Sequence, residues 1–399
     1  MTRLGRWIPR AVLTAGAVVA LVLSGVPLLG GFAAALPVIG PFGRFVIPYF
    51  PQIGALALAA TILATFAAFL GGGRVVRGVL LAAGIATIGW SIVFTAFNGL
   101  ATAEVGSYSL KRQVEPRDGQ IAPPSEHLVY ATVDGQELHV DVRYAYPFLA
   151  RTGPAPFGSG EGGPPAVLFV HGGGFWSGGL GERDALLTRF STFGYPTFDV
   201  EYRLSPPARW DQAPGDVLCA LGWVQANAAK YGFDPRRVVM VGESAGGNLA
   251  LLAAWAAGEQ RITPSCLYPT LPPRAVIAIS PTVDLAGIWA DGTLSKDGVR
   301  FPEDYIGGTP AQFPERYTAS SPVALVRTIG PATLVVLAAN DSLVRTNRST
   351  PIVDALRDVN ATVDVVTVPF ADHGFDGDPN AFGEQLEEEL FLLFIADNA

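Results

Sequence analysis

Six short apolar runs, at 166–170, 195–200, 238–241, 275–279, 333–338 and 362–368, constrain this chain more than any other feature of its sequence. None alternates apolar with polar side chains, and helical patterns at 183–193, 213–230, 247–257, 349–360 and 379–394 fall between or after them. A strand without alternation is buried on both faces, and a helix between strands supplies the long crossover that parallel pairing needs. The implied fold class is α/β, with a mostly parallel, doubly wound sheet. An antiparallel N-terminal hairpin opens it, because 128–133 and 137–146 alternate around the turn pair Asp134-Gly135. A Gly- and Pro-rich loop follows at 153–165. The irregular stretch 284–322, with Gly, Pro and aromatics, is a candidate cap.

In such a sheet ligands sit beyond the carboxyl ends of the strands, so the residues just after each run carry the chemistry. The run 238–241 leads into Gly242-Glu243-Ser244-Ala245-Gly246 and then a helical pattern. A serine between two glycines at a strand-to-helix junction is a candidate nucleophile, since the sharp turn pushes its hydroxyl outward. The run 166–170 leads into His171-Gly172-Gly173-Gly174-Phe175. Glycines there free backbone N–H groups to point at a developing oxyanion, so Gly173, Gly174 and Ala245 are the candidate donors. His171 fits the role of orienting this loop. The runs 333–338 and 362–368 lead into Asp341 and His373, a candidate orienting acid and a candidate base. Asp372 and Asp376 are rival acids, but a residue adjacent to His373 points away from its ring. Asp284 fits a local cap better. His127 and His139 read as ordinary strand residues. Phe175, Trp176, Trp210 and Trp289 are either pocket lining or core.

These motifs, with Tyr202-Arg203-Leu204-Ser205-Pro206 and Asp372-His373-Gly374-Phe375, resemble the hormone-sensitive-lipase-like and carboxylesterase branch of the α/β-hydrolases over roughly 126–399. The resemblance implies an α/β-hydrolase fold and hydrolysis of short to medium acyl esters with no cofactor. It implies a structural role for the Tyr202 segment. Two alternatives use the same residues: acyl transfer to, or deacetylation of, an envelope lipid or polysaccharide, and a catalytically silent binding module.

Residues 1–103 hold six arginines and no acid, which leaves 21 basic and 35 acidic residues, a net charge of −14, to the remainder. Three uncharged apolar runs, 11–29, 53–70 and 79–97, are each close to the roughly 20 residues a spanning helix needs. An all-α transmembrane segment therefore precedes the catalytic domain of 126–399, with 104–125 as linker or cap. Arg3, Arg6, Arg10, Arg74 and Arg77 outweigh Arg44, so the positive-inside rule puts the N-terminus in the cytoplasm and the catalytic domain outside; Lys111 and Arg112 pull the other way. A rival reading takes the first run as a signal peptide cleaved near Ala33-Ala34-Ala35 and ends on the same side. The implied partners are a lipid bilayer and a small-molecule, lipid or glycan ester. The acidic remainder speaks against nucleic acid. Cys219 and Cys266 are too few for a framework, so a pair and two buried thiols both stand open. No Cys/His cluster suggests a metal.

Overall fold

A computed structural model describes residues 121–145, 163–258, 261–292, 295–296, 299–326, 330–368, 371–377 and 382–399, with Gly78, Ile85 and Gly89. The apolar runs 11–29, 53–70 and 79–97 lie outside the described residues but for Ile85 and Gly89, as does 104–120 of the linker. Among the described residues no helix is long and apolar enough to cross a membrane. The chain divides into two units, and the larger, 117–368 with 387–399, carries the sheet.

Eight strands form that sheet. β1 (Glu126–Val133) and β2 (Gln136–Arg143) make the hairpin, closed by Asp134 and Gly135 at positive φ. β3 (Ala166–Val170), β4 (Thr197–Val200), β5 (Val238–Glu243), β6 (Ala275–Ile279), β9 (Ala332–Ala338) and β10 (Val363–Val368) follow, in the spatial order β1-β2-β4-β3-β5-β6-β9-β10. Every pair from β4 onward is parallel, and β2 is antiparallel to both neighbours. The small hairpin β7 (Ser295–Lys296) and β8 (Val299–Arg300) stands apart. All residues of β3, β4 and β6 are buried. Helices cover both faces of the sheet interior, which is why β3 and β6 show no alternation; β4 does alternate, with its polar Thr197 and Asp199 buried all the same.

Helices α1 (Asp184–Thr192), α2 (Ala213–Ala226), α3 (Ala228–Tyr231) and α4 (Ala245–Ala256) form the crossovers of the first half. The single helix expected over 213–230 breaks at Asn227, whose side-chain amide donates 2.8 Å to the carbonyl of Trp223. The Trp223 carbonyl also keeps its bond from the Asn227 N–H at 3.1 Å, so side chain and backbone share one acceptor at the end of α2. The candidate cap contains α5 (Leu285–Asp291), α6 (Phe301–Ile306) and α7 (Pro314–Ala319). The helix expected over 349–360 divides into α8 (Thr346–Ser349) and α9 (Pro351–Asp358), with Pro351 opening the second. The last helix, α10 (Phe382–Asn398), ends the chain.

Cys219 and Cys266 form a disulfide, joining α2 to the segment between α4 and β6 with 5.3 Å between Cα atoms. Beside it Arg203 grips Asp216 through Nε and Nη2, at 2.9 and 2.8 Å, and reaches Asp134 at 2.7 Å. The Tyr202-Arg203 segment thus ties the opening hairpin to α2, a structural role as expected. Asp199 on β4 is fully buried opposite Asp141. Burial pushes its carboxyl up to about 8 and the charges of Asp141 and Asp184 add to the rise, while the Gly181 N–H and Arg143 oppose it.

Two outcomes follow for stability. Replacing both cysteines by alanine opens a loop of sequence separation 47, and the chain-entropy account puts the loss at about 4 kcal/mol; guanidinium unfolding curves check it, and an unchanged midpoint contradicts it. Asp199 keeps its proton in the folded chain to about pH 8, whereas the unfolded chain releases it near the ordinary value of 3.8. Its contribution is therefore fully present below that value and is lost as pH rises toward 8. Asp199→Asn should flatten the fall in Tm across this window and raise Tm at pH 8; parallel curves for the two proteins contradict the assignment.

Candidate active site

Ser244 sits between β5 and α4 with φ 54° and ψ −114°. An L-residue is strained there, at a cost of roughly 1–3 kcal/mol, and persists only where its surroundings hold it. Several contacts do so. The Ser244 N–H donates 2.8 Å to the carbonyl of Ile279, and its own carbonyl accepts from Asn248 and Thr282 at 3.2 Å. Gly246 lies so close to β3 that a Cβ would collide with the carbonyl oxygens of Val170 and His171, and one on Gly242 would meet the Gly246 carbonyl. The two glycines are thus what lets strand, turn and helix meet at this angle. Ala245 opens α4, where the helix contains no earlier carbonyl to accept its N–H.

The glycine loop follows β3, next to β5 in the sheet. A Cβ on Gly172 would stand 3.2 Å from the carbonyl of Glu243 and 3.5 Å from the Ser244 Cβ, so the loop runs against the elbow. Gly173 and Gly174 have positive φ of 93° and 63°, which glycine adopts without penalty. The Gly172 carbonyl accepts 3.0 Å from the Tyr202 hydroxyl and 2.9 Å from His171 Nδ1. The Gly173 carbonyl accepts from the Ser177 hydroxyl at 2.9 Å and from the Ser177 N–H at 3.1 Å. A trans peptide points its N–H opposite to its carbonyl, so the N–H groups of Gly173 and Gly174 face the other side of the loop from these contacts.

His171 is buried and stacks on Tyr202 with ring centroids 4.3 Å apart. Burial lowers its pKa to about 4, against the opposing effects of the Gly172 carbonyl and the charge of Glu201. It is neutral at pH 7 and, facing a carbonyl, carries its proton on Nδ1. Its place is that of a loop-orienting residue.

Asp341 follows β9, two strands from β5, and is buried. Its Oδ1 accepts from the N–H groups of Leu343 and Val344 at 3.0 and 2.7 Å, which fixes the carboxylate. Asp284 caps α5 through Gly287 N at 2.9 Å and pairs with Arg348 at 3.0 Å, the local role expected of it. Ser244, Ala245, Gly173, Gly174 and Asp341 thus all stand at carboxyl ends of strands in the larger unit. His373 belongs to the smaller unit, which takes in 369–386. There its backbone N–H donates 2.7 Å to the Asp372 carboxylate, and the Phe375 N–H to the Asp372 carbonyl. Of the aromatics, Phe175 is core, stacked on Tyr305 at 3.8 Å. The Trp289 indole donates 2.6 Å to Glu303, Trp210 lies under Arg316, and Trp176 is exposed beside Gly174. No group of His, Cys, Asp and Glu among the described residues is arranged to hold a metal ion.

An eight-stranded, mostly parallel sheet opened by an antiparallel hairpin, with a serine in a strained turn after its fifth strand, is that of an α/β-hydrolase fold. The comparisons agree. Esterase 2 of Thermogutta terrifontis in its apo form superposes with a TM-score of 0.54 at 23% identity, over 69% of this chain and 97% of that one. Its propionate-bound form gives 0.53 at 22% identity. A family model described as BD-FAE matches residues 158–356. In sequence the chain is 30% identical over 269 residues, 65% of its length, to the probable carboxylic ester hydrolase LipM of Mycobacterium tuberculosis. It is 29% identical over 219 residues, 53% of its length, to the esterase LipC of the same organism. The matches span 58% of LipM and 53% of LipC.

Sequence reasoning passed over Arg183, which reaches Glu243 and, 204 positions away, Glu387. The only signal in the sequence is an acid directly before the nucleophile.

The elbow makes two opposite predictions. Ser244→Gly should raise the unfolding free energy by about 1 kcal/mol, because glycine relieves the strained φ. Gly246→Ala should lower it by roughly 1–3 kcal/mol or more through the forced collision. Urea titrations of both variants decide; the reverse ordering contradicts the geometry.

Proposed function

We propose that the chain is a serine carboxylesterase that hydrolyses short- to medium-chain acyl esters. The observation that carries this reading is Ser244 in its strained turn against the glycine loop. Similarity to proteins named as ester hydrolases and esterases supports it. In the proposed reaction Ser244 Oγ attacks the ester carbonyl carbon while His373 takes the hydroxyl proton, and the oxyanion is held by the N–H groups of Gly173, Gly174 and Ala245. Collapse expels the alcohol with the proton from His373 and leaves an acyl ester on Ser244. Water, deprotonated by His373, attacks that ester, and the acid leaves as Oγ regains the proton. Asp341 holds the His373 tautomer and stabilises the imidazolium. No step calls on a cofactor.

We further propose that the catalytic domain lies outside the cytoplasm, tethered to the bilayer by the apolar runs of residues 1–103. The arginine distribution supports the orientation, and the Cys219–Cys266 disulfide supports an oxidising compartment.

Hydrolysis of p-nitrophenyl acetate and butyrate by the wild type and Ser244→Ala tests the reaction. The variant should lose roughly 10³-fold or more in kcat. Equal rates sink the proposal, and acyl product that depends on an added sugar or lipid acceptor, in place of free acid, moves it to acyl transfer.

A further inference from the structure

We infer that Arg183 is a positioning residue for the nucleophile: it braces the amino-terminal side of the Ser244 turn by holding Glu243 against the C-terminal helix. The inference rests on the serine-esterase reading of the same site. Arg183 stands at the start of α1 with a buried side chain. Its Nη1 donates 3.0 Å to Glu243 Oε2, and its Nη2 donates 2.9 Å to Glu387 Oε2. Glu243 is the last residue of β5 and is bonded directly to Ser244. Glu387 lies on α10 and is fully buried. A single cation therefore links the residue before the nucleophile to a helix at the far end of the chain.

The strained turn has to be held from both sides. On its carboxyl side α4 does this through the close approach of Gly246 to β3. On its amino side the backbone is fixed by the pairing of Glu243 with Ile279 across β5 and β6. The Glu243 side chain is held as well, by the hydrogen bond it accepts from Arg183. The planar guanidinium suits this task, since its fork can face two carboxylates at once where an ammonium is a point charge. Loss of the cation takes from both carboxylates the hydrogen bonds that Arg183 donates and leaves the charge of the fully buried Glu387 without this neighbour. The end of β5 that carries Ser244 would then lose the side-chain anchor that Arg183 gives Glu243.

The same two helices have a second tie. Arg189 lies 3.6 Å from Glu388 and 3.9 Å from Glu389. Docking of α1 on α10 therefore does not depend on Arg183 alone, and loss of Arg183 should act on the turn more than on the fold.

The test compares kcat and KM of the wild-type chain, Arg183→Met and Arg183→Lys for p-nitrophenyl butyrate, with active serines counted by titration with a fluorophosphonate. Arg183→Met should lower kcat per titrated serine by about 10- to 100-fold, the scale of a misplacement near 1 Å, with KM changed by less than about twofold. Arg183→Lys, which keeps the charge without the fork, should fall between the two. A wild-type kcat per titrated serine in Arg183→Met, or a loss confined to KM or to the number of titratable serines, overturns the inference. Should Arg183→Met fail to fold, Glu243→Ala decides: it removes the acceptor that Arg183 grips and leaves the bond of Arg183 to Glu387. A several-fold loss of kcat upholds the brace and a wild-type kcat overturns it. Failure of the esterase reading looks different, since there the wild type is inactive or Ser244→Ala keeps its rate.

Discussion

The close approach of α4 to β3 sets the rest of the site. Gly246 leaves no room for a side chain beneath the carbonyls of Val170 and His171, and that contact holds Ser244 at a φ of 54°. Strain of this kind is tolerated where packing over-determines it. Here five buried residues of β3 and the buried body of β5 supply the packing. The same approach brings Gly172 against the elbow, so one contact fixes both the serine and the loop proposed to receive the oxyanion.

Polar groups around this centre are used as ties between distant segments. Arg203 joins α2 to the opening hairpin, Arg183 joins the end of β5 to α10, and the disulfide pins the segment before β6 to α2. Each buried ion is costly to strand without its partner, so the two arginine ties specify a position more than they add stability, whereas the disulfide adds stability outright. His171 follows the same logic with a neutral ring. Stacked on Tyr202 and bonded to the Gly172 carbonyl, it shapes the glycine loop without carrying charge.

Much of this was legible in the sequence because it is local. The runs 166–170 and 275–279 became β3 and β6 with the same bounds, since apolar stretches with a glycine or proline within two residues of each end leave little choice. Asp134-Gly135 closed its hairpin, and Ser244 stands at the junction its motif implied. What the sequence did not disclose depends on tertiary packing. Nothing in the spacing of Cys219 and Cys266 brings them to a Cα separation of 5.3 Å; the fold around α2 does. Arg183 and Glu387 meet only because α1 and α10 lie side by side. The break at Asn227, where a side-chain bond shares the Trp223 carbonyl with the backbone, is instead a local feature that a periodicity argument does not count.

The central claim is that Ser244 forms a covalent acyl intermediate. Rapid mixing of the wild type with p-nitrophenyl acetate, acid quenching and peptide mass spectrometry measures this directly. The account predicts one acetyl group on the peptide that contains Ser244, and a longer-lived acetyl group there in His373→Ala if that variant still acylates. No acylated peptide in an enzyme that turns over the ester, or an acetyl group on a different residue at stoichiometric yield, would contradict it.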